Sequence, residues 1–114
     1  LIQIVDVDHE FPKPLKDFKV IHQFKFDDET EGPNVITDEQ AKKIAEALTE
    51  AKEKNLNVVV HCFAGLCRSG AVTDVGIEIG FNPPDRARQP NSLVRMKLRK
   101  ALNLAITSET SMFA

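Results

Sequence analysis

The sequence contains neither tryptophan nor tyrosine, only two cysteines, and no excess of positive charge. Two cysteines in 114 residues exclude a disulfide-stabilised scaffold, and without a Cys-x-x-Cys pair they offer no zinc-ligand spacing. A formal net charge of −2 is opposite in sign to a surface that neutralises nucleic-acid phosphates. No apolar run approaches the roughly 18 residues of a membrane span. We therefore expect a cytoplasmic protein that binds neither nucleic acid nor membrane and uses no metal or other cofactor.

The residues that are present suffice for one folded unit. Hydrophobic residues make up 42% of the chain and charged residues 28%, which is typical of soluble globular proteins. A chain of this length can bury one hydrophobic core but not two. We predict a single domain over residues 1–114.

Three segments have the composition of β-strands. Leu1 to Val7 alternates and is rich in Ile and Val, and Val20 to Phe26 carries most of its core-facing residues at even positions. Val58 to His61 is apolar without alternation, which predicts a fully buried strand.

Three segments have helical spacing. Thr37, followed three positions later by Gln40, forms a capping-box signature that predicts a helix from about Asp38 to Lys54. A second helix is expected to begin near Arg68. The apolar positions assigned to its inner face are Ala71, Val72, Val75 and Ile79.

A last helix follows the second Pro-rich break in the chain. Either Asn91 or Ser92 can cap it. Strands and helices therefore alternate through most of the sequence, which predicts an α/β fold with a central, mostly parallel sheet flanked by helices. The apolar stripe expected on the last helix comprises Val94, Leu98, Ala101, Leu102 and Ala105.

A ten-residue run after the third predicted strand carries the strongest signal in the chain. It reads His61-Cys62-Phe63-Ala64-Gly65-Leu66-Cys67-Arg68-Ser69-Gly70 and places five residues between a cysteine and an arginine. The strand would bring Cys62 to the edge of the sheet, and the following loop can curl so that its N–H groups point inward. Arg68 would close this ring at the start of a helix, whose amide end favours an anion. The run predicts a phosphate-binding loop with a nucleophile at its floor.

Four residues of this loop have distinct expected roles. Cys62 is the predicted nucleophile, because a helix N-terminus and a guanidinium can lower a thiol pKa enough to give a thiolate at neutral pH. Arg68 offers a planar fork that matches two phosphate oxygens. Gly65 permits the tight curvature, and Ser69 can donate a hydrogen bond that helps the thiolate to leave. A lone cysteine would more simply be a small buried hydrophobe, but its companions favour the catalytic interpretation.

Hydrolysis of a phosphate ester also needs a group that protonates the departing oxygen and later activates water. Asp27 and Asp28 follow the second predicted strand, and the carboxyl ends of parallel strands share one edge of a sheet. Either residue could be the acid, and a solvated acidic turn is the alternative.

The remaining histidines and the second cysteine have less specific signals. His61 precedes the nucleophile, and we expect it to orient the loop by hydrogen bonding. His9 lies away from any second motif and is expected to be structural. Cys67 lies five residues after Cys62, so that a disulfide could form on oxidation, or its side chain simply packs under the loop.

The run from Val58 to Gly70 resembles the Cys-x5-Arg signature of the cysteine-dependent protein tyrosine phosphatases. Its His-Cys-x-x-Gly-x-x-Arg-Ser form is that of the dual-specificity-like branch. Two further segments, Phe24 to Asp28 and Arg86 to Leu93, occur in the order seen in small bacterial and phage-type members. The resemblance covers most of the chain.

This resemblance implies a phosphatase-like fold, shortened between Gly70 and Pro90, and a metal-free hydrolysis in two steps. A cysteinyl-phosphate would form on Cys62, with the phosphate bound by the loop from Phe63 to Arg68. The implied substrates are phosphorylated proteins or small phosphomonoesters. Whether phosphotyrosine or phosphoserine and phosphothreonine are preferred is open, since the sequence contains no recognisable phosphotyrosine-recognition loop.

The resemblance also implies roles for two residues outside the loop run. The acid would be Asp27 or Asp28, and the Asn91 side chain would support the phosphate-binding loop without touching the substrate.

Two other functions use the same residues. A phosphate-binding or phosphopeptide-binding module would keep the loop without turnover. A rhodanese-like or arsenate-reductase-like enzyme would pair the loop thiolate with the second thiol of Cys67. The aspartates favour the phosphatase, because sulfur transfer needs no acid at that place.

Overall fold

The computed structural model describes residues 1–63 and 65–103 of the chain. Ala64, expected in the phosphate-binding loop, and Ala105, expected in the last helical stripe, lie outside the described residues. The elements, in chain order, are β1 (Ile2–Val5), β2 (His22–Lys25), α1 (Asp38–Glu53), β3 (Val60–His61), α2 (Arg68–Glu78) and α3 (Ser92–Ala101).

The three strands form one parallel sheet in the order β2-β1-β3. Ile2 of β1 lies opposite His22 of β2 on one side and Val60 of β3 on the other. The predicted α/β fold with a parallel sheet is therefore confirmed. Because all strands run the same way, the residues that follow Val5, Lys25 and His61 meet at one edge.

Each strand is shorter than its sequence pattern predicts. β1 ends at Val5 because Asp6 turns the chain, its carbonyl accepting a 3.0 Å hydrogen bond from the His9 amide. The prediction that Val58 to His61 is fully buried was wrong, since Val59 is 50% exposed. In the described part of the chain β3 pairs with β1 alone, so that one side of this strand has no strand neighbour.

The predicted capping box of α1 is confirmed. The Thr37 side chain accepts a hydrogen bond from the Gln40 amide, and the Gln40 side chain returns one to the Thr37 amide. The helix ends at Glu53, one residue before the predicted end, and Asn55 turns the chain with a φ of 56°.

The other two helices begin where the sequence places them. α2 starts at Arg68, and α3 is capped by Asn91, whose side-chain oxygen accepts hydrogen bonds from the amides of Leu93 and Val94. Ala101, predicted to lie on the apolar stripe, is exposed instead because it is the last helical residue.

One hydrophobic core joins the strands to the helices. α3 packs against both α1 and α2. None of the helices that the structure describes is long and apolar enough to cross a membrane. The largest fully buried apolar side chains are those of Phe26, Ile4, Ile36, Ile44, Leu48, Leu98, Val72, Val75 and Val94.

Candidate functional site

The loop between β3 and α2 brings the predicted nucleophile to the start of a helix. Cys62 follows the last residue of β3 and is 8% exposed. Its sulfur accepts a 3.4 Å hydrogen bond from the amide of Ser69, and Ser69 Oγ lies 3.3 Å from the same sulfur. Both donors belong to the first turn of α2, where amides and the helix dipole favour negative charge.

These contacts decide the ionisation of Cys62. Burial by itself raises the pKa of this thiol, because a thiolate is poorly solvated in the interior. Hydrogen bonds from the Ser69 side chain and from the amides of Ser69 and Gly65, together with the charge of Arg68, outweigh burial. The net effect lowers the pKa of Cys62 below its ordinary value, as a nucleophilic thiol requires.

Arg68 is almost fully buried beside the thiol, with 4% of the residue exposed. Its Nη1 donates hydrogen bonds of 2.8 Å to the Phe26 carbonyl and 2.7 Å to Asp6 Oδ1. Its Nε is buried and has no hydrogen-bond partner in the described part of the chain. The guanidinium is therefore held in place by two acceptors, while its Nε–H makes no hydrogen bond with the described residues.

Asp6 is a site residue that the sequence analysis did not identify. It follows β1, the strand that pairs with β3, so the parallel register brings its carboxylate to the loop. The sequence pattern placed Asp6 inside the predicted strand Leu1 to Val7. Because β1 ends at Val5, Asp6 follows the strand directly, as Asp27 and Asp28 follow the second predicted strand.

His9 also lies closer to the site than expected. Its Nδ1 is 3.2 Å from Asp6 Oδ2, the carboxylate whose other oxygen binds Arg68. Asp6, Asp8 and His9 each place one ligand atom within 4.8 Å of the others. Because Asp6 already binds the guanidinium and the other two are exposed, we assign no metal to this group.

Both predicted acids lie at the carboxyl edge of the sheet, near the thiol. Asp27 is half-buried, and its Oδ1 accepts a 3.1 Å hydrogen bond from the Val7 amide. Asp28 is exposed, and its Oδ1 accepts a 2.8 Å hydrogen bond from Asn91 Nδ2. The two carboxylates are thus fixed by different parts of the fold.

Asn91 connects three parts of the site. Its amide nitrogen Nδ2 donates to Asp28 and to the Glu29 carbonyl, and its backbone N–H donates to the Cys67 carbonyl at 3.0 Å. Its side-chain oxygen caps α3. One 8% exposed side chain thereby fixes the acidic loop, while its backbone fixes the thiol loop.

Cys67 has a different environment from Cys62. The residue is half-buried and interacts with the Asp28 carboxylate through its side chain. Burial, the negative charge of Asp28 and the hydrogen bond to it raise the pKa of Cys67 above its ordinary value. The pKa values of the two thiols therefore move in opposite directions from the ordinary value.

The middle of the loop is shaped by its backbone and by the segment before α3. Gly65 has a φ of 72°, and a Cβ at this position would lie 2.9 Å from Arg86 Nη2. The Leu66 carbonyl accepts a 3.0 Å hydrogen bond from the Gln89 amide. The chain before α3 thus supports the outside of the loop.

The two residues that flank Cys62 in the sequence have different surroundings. His61 is half-buried and its side chain makes no hydrogen bond with the described residues, so the predicted orienting contact is not found. Its partner in the sheet is Gln3, which binds Gln23 and the Pro12 carbonyl instead. Phe63 is 92% exposed, so the ring next to Cys62 faces solvent.

A cavity of about 280 Å³ opens over the thiol. Two larger cavities, of about 410 and 420 Å³, have no contact with Cys62 and are lined mainly by apolar and uncharged residues. The small cavity alone combines the nucleophile with its guanidinium and carboxylates within the described residues. Its lining consists of Asp6, Asp27, Asp28, Glu29, Cys62, Phe63, Cys67 and Arg68.

The arrangement can hold a small oxyanion next to a nucleophile. A thiol with a lowered pKa, a buried guanidinium with an open N–H and carboxylates within one cavity are the groups that acyl or phosphoryl transfer requires. Comparison of the chain with models of known families, with curated proteins and with solved structures gives no match.

Proposed function

We propose that this protein is a cysteine-dependent phosphatase that hydrolyses phosphate monoesters, foremost phosphotyrosine in proteins, through a cysteinyl-phosphate. The observation that carries this proposal is the shared cavity of Cys62 and Arg68, in which the pKa of the thiol is lowered. A thiolate beside a guanidinium at a helix N-terminus matches a tetrahedral oxyanion in both charge and shape.

The first step transfers the phosphoryl group to sulfur. The Cys62 thiolate attacks phosphorus while the bond from phosphorus to the ester oxygen breaks. Arg68 and the loop amides hold the phosphoryl oxygens, and a carboxylic acid gives its proton to the leaving oxygen. The alcohol departs and a cysteinyl-phosphate remains.

The second step regenerates the thiolate. The same carboxylate, now ionised, removes a proton from water as the water oxygen attacks phosphorus. The sulfur–phosphorus bond breaks and inorganic phosphate is released. Ser69, whose hydroxyl and amide both lie within hydrogen-bond distance of Cys62 Sγ, stabilises the departing thiolate.

We assign the acid and base role to Asp27. The Asp28 carboxylate already holds the Asn91 amide and the Cys67 thiol, which makes it a bridge between the two loops. Among the described residues, the Asp27 carboxylate accepts one hydrogen bond, from the Val7 amide to Oδ1. Its second oxygen is available to a leaving group in the cavity that it lines.

The state of Cys67 supports hydrolysis over the two thiol-dependent alternatives. Sulfur transfer or arsenate reduction through a second thiol would need Cys67 as a ready nucleophile. Burial and Asp28 raise the pKa of Cys67 instead, which keeps it protonated and slow to attack.

We also infer a shortened phosphatase-like fold. Its support is the parallel sheet, the thiol loop between β3 and α2, and the absence of any helix in the described segment 79–91. A working thiolate needs a reducing compartment, which favours the cytoplasm.

Steady-state hydrolysis of para-nitrophenyl phosphate tests the function. The wild-type protein should turn over repeatedly, Cys62→Ser should lose activity to background, and Cys67→Ser should still turn over. Equal rates for the parent and Cys62→Ser would refute the proposal. Tight binding of a phosphotyrosine peptide without phosphate release would identify a binding module instead.

A further inference from the structure

The cavity over Cys62 contains more carboxylates than the proposed hydrolysis needs. Four of the residues that line it are carboxylates, whereas one proton donor is enough for hydrolysis. Arg68 is the one cation among its described lining residues. Asp6 already balances part of the positive charge of Arg68, because Asp6 Oδ1 lies 2.7 Å from Arg68 Nη1.

Three of these carboxylates have no positively charged partner among residues 1–63 and 65–103. Asp27 is held by a backbone amide and Asp28 by the neutral amide of Asn91. The Glu29 side chain makes no hydrogen bond or ion pair with any of residues 1–63 and 65–103. Asp28 and Glu29 are exposed, so their charges surround the entrance to the cavity.

This distribution penalises a phosphate that arrives without compensating charge. A dianion approaching the thiolate meets like charges at short range, and Arg68 is the one cationic side chain among the described residues that line the cavity. Lys or Arg side chains beside the phosphate would convert this repulsion into attraction. Arg68 lines the cavity, and its buried Nε has no hydrogen-bond partner among the described residues, so its guanidinium remains the group that would receive the phosphate.

The exposed ring of Phe63 also favours Lys and Arg side chains. The ring is 92% exposed and lines the same cavity. An aromatic face beside carboxylates attracts Lys and Arg through its quadrupole and also accommodates the stems of these side chains. We therefore expect a basic side chain of the substrate to cover the exposed Phe63 ring.

We propose that the substrate is a phosphoprotein segment with Lys or Arg next to the phosphorylated residue. Glu29, Asp28 and Phe63 recognise the basic side chains, and Arg68 recognises the phosphate. This inference rests on the proposed phosphatase function and names the substrate class for that same site.

Two phosphotyrosine peptides of equal length test the charge preference, one with Lys and one with Glu on both sides of the phosphotyrosine. We expect kcat/KM of the wild-type protein to be about tenfold higher for the Lys peptide at low salt, the sum of a few exposed ion pairs. Added salt should reduce the ratio, because exposed charges are screened.

Charge-removing variants assign the preference to the cavity. Glu29→Gln should slow the Lys peptide and accelerate the Glu peptide, so that the ratio falls several-fold. Glu31→Gln is the matched control, because Glu31 belongs to the same exposed loop but does not line the cavity. Its ratio should equal that of the wild type.

The outcomes separate this inference from the function on which it rests. Hydrolysis of para-nitrophenyl phosphate with equal rates for both peptides, or with the Glu peptide preferred, would overturn the charge preference and leave the phosphatase intact. Absence of Cys62-dependent turnover would overturn the function, and calorimetric binding of the two peptides to the wild-type protein would then decide the preference. Equal affinities, or no binding of either, would overturn it.

Discussion

Arg68 Nη1 donates a 2.7 Å hydrogen bond to Asp6 Oδ1, so that a carboxylate 62 residues away holds the guanidinium at the end of the loop between β3 and α2. Arg68 is 4% exposed, whereas about a third of the Asp6 side chain reaches solvent. A buried guanidinium without a partner would destabilise the folded protein. A guanidinium without a fixed orientation would not present an N–H group to an oxyanion. Asp6 therefore both stabilises Arg68 and orients it.

Removing this carboxylate is expected to cost stability. Asp6→Ala should lower the free energy of unfolding by about 2 kcal/mol, the range of hydrogen bonds to charged groups, since it leaves a buried charge with one fewer partner. Asp6→Asn should cost less, because its amide oxygen can still accept the hydrogen bond. Urea denaturation measures both values. Asp8→Ala, an exposed neighbour without contact to Arg68, should change stability by less than about 0.5 kcal/mol; an equal loss in all three variants would contradict the role of Asp6.

The lowered pKa of Cys62 predicts selective alkylation. Iodoacetamide should modify Cys62 at a pH where an ordinary thiol is still protonated, with Cys67 reacting only at higher pH, because their pKa values move in opposite directions. Peptide mapping by mass spectrometry across a pH series distinguishes the two sites. A common inflection for both cysteines would refute the assignment.

Ser69→Ala should raise the pKa of Cys62, because the hydroxyl contact to the thiolate is lost while the backbone amide remains. The pKa of the Cys62 thiol is lower in the folded protein than in the unfolded chain. The contribution of the thiolate to stability is therefore fully present above the pKa of the unfolded thiol and is lost as the pH falls through the pKa of the folded protein. In Ser69→Ala that contribution should be smaller, and its loss should be complete at a higher pH. Ser92→Ala, at an exposed serine that begins α3, serves as the control and should leave the alkylation profile unchanged.

Local patterns in the sequence predicted the helix ends that surround the candidate site. The Thr37 capping box and the cap of α3, expected at Asn91 or Ser92, depend on residues within four positions of one another. The capping box is confirmed, and the cap of α3 is Asn91. The start of α2 at Arg68 is likewise local. Each of these features involves a side chain that satisfies nearby backbone groups, which is why spacing alone identifies it.

Contacts across the sheet could not be predicted in the same way. The ion pair of Asp6 with Arg68 depends on the register of β1 against β3, which no local pattern encodes. The exposure of Val59 depends on β3 having β1 as its strand partner in the described chain. The hydrogen bond expected of His61 was assigned from its residue type, whereas the sheet places it opposite Gln3, which binds elsewhere.

Asn91 offers a variant that separates stability from activity. Asn91→Ala should lower the free energy of unfolding by about 1–2 kcal/mol, because α3 loses its cap. Asn91→Ser keeps a capping oxygen but has no amide to hold Asp28, so it should be nearly as stable as the parent yet hydrolyse para-nitrophenyl phosphate more slowly. Thermal unfolding and steady-state rates measure the two effects; full activity of Asn91→Ser would mean that the contact to Asp28 is dispensable.

Gly65→Ala should weaken oxyanion binding. The added Cβ would lie 2.9 Å from Arg86 Nη2, and a φ of 72° costs an alanine on the order of 1 kcal/mol. The loop should shift, and with it the Gly65 amide that stabilises the Cys62 thiolate. Vanadate or phosphate inhibition reports this change. Gly32→Ala, also at positive φ but with no atom within 4 Å of the new Cβ, should destabilise the protein without altering inhibition.

The assignment of Asp27 as the acid predicts a dependence on the leaving group. Asp27→Asn should slow the hydrolysis of phenyl phosphate far more than that of para-nitrophenyl phosphate. The basic phenoxide leaving group of phenyl phosphate needs a proton, whereas para-nitrophenolate departs as a stable anion. The expected loss for phenyl phosphate is about 10² to 10⁴-fold, the usual range for general acid catalysis. Asp28→Asn should slow both substrates by a similar, smaller factor, because this residue holds Asn91 and Cys67 and donates no proton. If Asp28→Asn shows the dependence on the leaving group and Asp27→Asn does not, the two roles are reversed.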